Sequence, residues 1–149
     1  MTISGVPRFQ RFFRTAAGLR VDKDDLKRYT DFVNRKLYDL LLMAEATAEA
    51  NRRDVVEPED LPITKGLQQS IHEFEKLDLE LEVVPMLEQV KALPPLDLAL
   101  AEATTARLST VAGALSLALA RTIRIIDPAL NAPHADDWER AFSIFDLLL

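Results

Sequence analysis

Apolar residues recur at intervals of three and four along nearly the whole chain, and no stretch alternates with a period of two. That pattern predicts helices throughout and no sizeable sheet. Phe9, Phe12, Phe13 and Ala16 fall at i, i+3, i+4 and i+7, so a first helix is expected over about residues 7–17. Gly18 is placed to end it, because glycine takes left-handed backbone at low cost. After a short link, Leu26, Tyr29, Val33, Leu37, Leu40, Ala44 and Ala48 predict a long helix over about residues 23–51. Asp22 suits its N-cap, and Asp24 and Asp25 suit the positive end of its dipole. At the usual rise per residue this helix reaches roughly 40 Å. Val55 and Val56 form a second link and lead into Glu57-Pro58-Glu59-Asp60, which reads as a helix start. Pro62 interrupts it by removing a backbone donor, so a turn and then a helix over about residues 63–77 are expected.

The same order then returns. A short helix is expected over about residues 84–93, followed by a break at Pro94-Pro95 and a long Ala- and Leu-rich helix over about residues 97–127. After a second break at residues 128–133, a last helix begins near Ala135-Asp136-Asp137, with Trp138, Phe142, Phe145 and Leu149 on one face. Val6-Pro7-Arg8-Phe9 is echoed by Val84-Pro85-Met86-Leu87. The order short–long–short therefore occurs twice, which suggests duplication. The expected organisation is one compact domain over residues 1–149, built from a first repeat at 6–77 and a divergent second repeat at 78–149.

Composition narrows the chemistry. With 48% hydrophobic and 28% charged residues in 149, the chain holds enough apolar surface to offset its conformational entropy. The absence of cysteine excludes disulfides, a zinc ribbon and a thiol nucleophile. Arg8 and Arg11 lie within the first residues and no apolar run follows them, so no signal peptide is expected. The longest nearly uncharged apolar run, residues 108–120, falls short of the roughly 20 residues of a membrane span. It reads as the middle of a buried helix in a soluble, cytoplasmic protein without a membrane partner. His72 and His134 have no second histidine at metal spacing, and no H-E-x-x-H is present. Both are expected at surface or helix-end positions. Glu45 and Glu49 share a helix face without the E-x-x-H partner of di-iron bundles, and read as a solvated edge. Ser109, Ser116 and Ser143 lie in helical patterns with no base beside them, and there is no Gly-rich phosphate loop. No catalytic residue, cofactor or metal is expected.

At this point a family comes into view. Arg11-Phe12-Phe13-Arg14, then Ala17-Gly18-Leu19-Arg20-Val21 and Asp24-Asp25, resemble the first helix and first loop of an archaeal histone. Ala48 through Arg53, Val55-Val56 and Pro58-Glu59-Asp60-Leu61 resemble its second loop and the start of its third helix. The strict resemblance covers residues 6–61. Residues 84–149 share the helix order and Ala135-Asp136-Asp137. The whole chain resembles a small bacterial family that carries two histone folds in one polypeptide. The resemblance implies an all-α fold of tandem histone folds, paired as an intramolecular pseudo-dimer and therefore a monomer. It implies double-stranded DNA as a partner and a place in the nucleoid. Carried over residue by residue, the DNA-binding candidates are Arg11, Arg14, Arg20 and Arg53, whose guanidinium groups stay charged and offer forked donors to phosphate.

Departures from the histone pattern support an alternative. Histones pair an arginine at the Arg53 position with a threonine two residues on, where this chain has Val55 beyond the repelling Asp54. Matching Val6 to Val84 sets Arg11 against Gln89 and Arg14 against Ala92, and matching Asp60 to Asp137 sets Arg53 against Leu130. The net charge is −6, and residues 1–77 carry 13 basic and 13 acidic side chains, so the entire acidic excess lies in residues 78–149, with 5 basic and 11 acidic. DNA binding would then be one-sided and weak. The alternative is a histone-fold protein-interaction module that has lost DNA binding, with another protein as partner and the arginines a solvated face.

Overall fold

Three phenylalanines set the packing of the first helix. In the computed structural model, which describes residues 5–77 and 94–149, α1 spans Gly5–Ala17 and buries Phe9, Phe12 and Phe13 on one face. Gly18, at φ +65°, closes it as expected, returning its N–H to the Arg14 carbonyl at 2.9 Å. The long helix α2 spans Lys23–Ala50. Its N-terminus carries the expected cap in reciprocal form: the Asp22 carboxylate accepts from the Asp25 N–H at 2.9 Å, and the Asp25 carboxylate accepts from the Asp22 N–H at 3.0 Å. Strand β1 (Val55–Val56) follows, then a 3-10 turn over Pro58–Asp60 and helix α3 (Lys65–Leu77), the break that Pro62 demands.

In the second half, strand β2 (Ala99–Leu100), helix α4 (Glu102–Ile126) and helix α5 (Ala135–Leu148) are described. The short helix expected over residues 84–93 lies outside the described residues. Helix α4 begins at Glu102 rather than near Asp97, and the reason is long-range hydrogen bonding. Strand β2 pairs in parallel with β1, Val55 to Ala99 and Val56 to Leu100. The Leu98 N–H donates to the Glu45 carboxylate at 2.9 Å, and the Ala101 N–H donates to the Val56 carbonyl at 3.0 Å. The buried Thr104 hydroxyl donates to that same carbonyl at 2.7 Å. Backbone groups that a local helix would use are thus taken by the first half. Glu45 is also corrected: it is a buried anchor for the Leu98 N–H, not a solvated edge.

At the other end of α2, the Arg20 N–H donates to the Asn131 carbonyl at 2.8 Å. The link before α2 therefore meets the link after α4, and the link after α2 meets the link before α4. Two long helices joined crosswise in this way run antiparallel. Between the two junctions, the Tyr29 and Ser116 hydroxyls lie 2.6 Å apart in full burial. The Ser116 hydroxyl donates to the Ala112 carbonyl at 2.7 Å and accepts from Tyr29, whose phenol burial pushes well above its usual pKa. Ser116 is thus a structural hydroxyl with two partners.

By length and a mean hydropathy of 1.3 over 18 residues, α4 meets the requirements of a membrane span, which residues 108–120 alone do not suggest. Here Val111 through Leu117 are buried as core, packed against α1, α2, α3 and α5. The Phe74 ring of α3 lies on Gly113, in the space a Cβ would take. Helix α5 closes the other side. Trp138 is fully buried beside Phe13 and Phe142, and Phe142 stacks on Phe32 at 4.1 Å between ring centroids. The Trp138 Nε1–H donates at 2.9 Å to Asp25, the carboxylate that also caps α2. Lys36, buried against Phe32, reaches Asp146 of α5 at 2.5 Å.

Candidate nucleic-acid interface

The apolar stripe of α1 decides where its arginines stand. With Phe9, Phe12 and Phe13 turned inward, Arg8, Arg11 and Arg14 recur every three residues on the outer side and are exposed. In the link that follows, Leu19 and Val21 are buried and Arg20 between them is exposed. The link is held by the Arg20–Asn131 bond and by the Gln10 side-chain amide, which donates to the Val21 carbonyl at 3.0 Å. Among the described residues, no hydrogen bond or ion pair engages the guanidinium of Arg11, Arg14 or Arg20. The fold therefore gathers three of the four candidate arginines at one end of the molecule, and among the described residues none of them is held in an ion pair.

Arg53 is placed differently. It sits beyond the opposite end of α2, roughly 40 Å from Arg20 along the helix axis. Its guanidinium forks onto both oxygens of Asp60, at 2.6 and 2.5 Å, and the same carboxylate accepts the Glu57 N–H at 2.8 Å. The Arg53 bond, foremost, holds the Asp60 carboxyl down at about 2 and raises the Arg53 pKa. Arg53 thus closes its own link and is not joined to the other three.

The Asp60 shift has a testable sign. The folded pKa lies below the ordinary value of 3.8, so the stability it contributes is fully present above that value. It is lost as pH falls from 3.8 towards about 2. Urea midpoints taken from pH 5 down to pH 2 should show the wild-type chain losing stability across this window. Asp60→Asn should be less stable near neutral pH and flatter below it. An unchanged acid slope in that variant would remove Asp60 from the account.

The second half contributes no loop arginine, as Leu130 in place of Arg53 implies, but it does contribute Arg124 from the last turn of α4. The Arg124 guanidinium donates to the carbonyls of Ala17 and Gly18 on one side and of Pro128 and Leu130 on the other. Pattern reading passed over this residue. Its one local signal is a cation at a helix C-terminus just before a proline.

The other sequence candidates fall outside this end. His72 is exposed on α3, and His134 is the exposed residue preceding α5. Glu45, Glu49 and Asp97 bring carboxylate oxygens within 4.8 Å of one another near β2. Glu45 is already committed to the Leu98 N–H. An open apolar groove of about 410 Å³ lies between α3, α4 and α5, lined by Leu67, Leu115, Ala118, Ile144, Phe145 and Leu148 among others.

Comparison with known proteins places the chain among relatives. A crystal structure of a Thermus thermophilus protein superposes with a TM-score of 0.91 at 51% identity, covering 96% of this chain and 97% of that one. The crystal structure of protein AQ328 from Aquifex aeolicus superposes with a TM-score of 0.85 at 23% identity, covering 100% and 99%, and shares the fold. In sequence, an uncharacterized protein of Aquifex aeolicus (strain VF5) is 27% identical over 120 residues, which is 80% of this chain and 70% of that protein. Residues 9–146 match the family described as "Domain of unknown function (DUF1931)", and the chain belongs to that family.

Proposed function

We propose that the chain is a pair of tandem histone folds, closed on itself as a pseudo-dimer, that binds duplex DNA weakly and without sequence preference. The observation that carries the fold reading is the crosswise joining of links. Each long helix is flanked by two links, and each link meets the opposite link of the other half, at Val55–Val56 with Ala99–Leu100 and at Arg20 with Asn131. That is the exchange expected of two such units crossing antiparallel. The binding reading is supported by Arg11, Arg14 and Arg20, exposed at one end with no carboxylate partner among the described residues. Arg53 is left out of the contact set because Asp60 takes two of its donors and neutralises its charge, and because it lies at the far end of α2 from the other three.

A fluorescent-duplex titration across salt concentrations tests this. Binding is expected at low salt, with affinity falling steeply as salt rises. Each of Arg11→Ala, Arg14→Ala and Arg20→Ala should reduce the slope of log affinity against log salt by about one. Arg53→Met should leave the slope unchanged. Absence of binding at low salt by the folded chain would end the DNA reading. The second reading, a protein-interaction module, is favoured by the apolar groove between α3, α4 and α5 and by the exposed Leu147 and Leu148 beside it.

A further inference from the structure

The geometry points to Arg124 as the positioning residue of the basic surface: a guanidinium rooted in the second half holds the segment that presents Arg20. This rests on the reading of Arg11, Arg14 and Arg20 as phosphate contacts. Arg124 Nε donates to the Ala17 carbonyl at 2.9 Å, and Nη2 donates to the Ala17 and Gly18 carbonyls at 2.7 and 3.2 Å. Nη1 donates to the Pro128 and Leu130 carbonyls at 2.9 and 2.7 Å. A guanidinium has five N–H donors, and all of them are spent on these bonds. Arg124 therefore has no donor left for a phosphate oxygen and is not a contact residue.

What it does is mechanical and electrostatic. Ala17 and Gly18 end α1, and their carbonyls belong to the set a helix terminus leaves without partners. Two residues on, the Arg20 N–H meets Asn131, one residue beyond the Leu130 carbonyl that Arg124 also holds. One side chain thus grips both strands of the junction from which Arg20 projects. Its positive charge is met by carbonyl dipoles, and among the described residues no carboxylate pairs with it. The junction keeps that charge beside Arg20. Lysine carries the same charge as a point with three donors and has no planar fork, so it cannot span both carbonyl groups.

The test uses the full chain as wild type, Arg20→Ala, Arg124→Lys and the double variant. Duplex titrations across salt are read beside amide hydrogen exchange at residues 18–21. Arg124→Lys should lower duplex affinity and reduce the salt slope by about one, as losing a single phosphate contact does, although the charge is conserved. The double variant should bind no more weakly than Arg20→Ala, because both changes remove the same contact. Losses that multiply in the double variant, or wild-type affinity in Arg124→Lys, would overturn the positioning role. Exchange at residues 18–21 should quicken in Arg124→Lys while the middle of α2 stays protected. Unchanged exchange there overturns the proposal whether or not the wild-type chain binds duplex. Failure of the wild type to bind counts against the DNA reading alone.

Discussion

Trp138→Ala is expected to lower the stability of the chain by about 3–5 kcal/mol, the usual cost of truncating a large buried aromatic. Trp138 has no exposed surface and touches Phe13 of α1, Asp25 of α2 and Phe142 of its own helix, so the cavity opens where three helices meet. The change also strips Asp25 of the indole donor. Burial raises the Asp25 pKa, while the Asp22 N–H and the Trp138 Nε1–H hold it down. A carboxyl raised on folding adds stability that is present below its unfolded value of 3.8 and lost as pH rises through the folded value. Removing the indole N–H raises that folded value further. Trp138→Phe keeps much of the ring volume and deletes the donor, so its deficit should be smaller than that of Trp138→Ala and should grow from pH 3 to pH 7. Urea unfolding followed by circular dichroism at both pH values measures this. Equal deficits of Trp138→Phe at the two pH values would show that the Asp25 bond contributes nothing.

Gly113→Ala should destabilise the chain, against the helix propensity that favours alanine over glycine by about 1 kcal/mol. The Cβ would enter the space held by the Phe74 ring, and overpacking of this kind costs about 1–3 kcal/mol. Phe74 is half-buried, so its ring has a way out towards solvent, and the overpacking cost less the propensity gain leaves a net loss of about 1 kcal/mol. The diagnostic is the cycle. Gly113→Ala combined with Phe74→Leu should be more stable than the sum of the two single changes implies, because the smaller side chain vacates the contested space. Thermal and urea unfolding of the four proteins provide the coupling. Strict additivity would mean that the Phe74 ring moves aside without cost.

How far the sequence reached can be judged residue by residue. The Asp22 cap, the Gly18 stop and the inward Phe stripe of α1 were legible because each is a local arrangement within one or two turns. The start of α4 was not, because its first backbone groups answer to Val56 and Glu45, more than 40 positions upstream. Pattern reading assigns residues 97–101 to the helix since nothing in their own composition marks the exchange. The same limit hid the role of Glu45. Of the candidate arginines, the outward placement of Arg11, Arg14 and Arg20 follows from helical periodicity and from the Leu19–Val21 alternation. The engagement of Arg53 by Asp60 required knowing that the link folds back over seven residues. Arg124 left only its helix-end position as a signal, because its partners are backbone carbonyls, which carry no side-chain signature.

The two crosswise junctions also impose an order on folding. The junction of residues 55–56 with 99–100 closes a loop less than half as long as the junction of residue 20 with 131. Each doubling of loop length adds only about 0.6 kcal/mol of closure entropy, but that difference falls on the barrier to the outer contact. The inner junction, clamped beside Arg53 and Asp60, is the earlier closure on this ground. The outer one, where Arg124 gathers the ends of α1 and α4, comes last. The arginine end is then expected to be the later of the two junctions to close, and a ligand bound there would stabilise the whole closed chain by mass action.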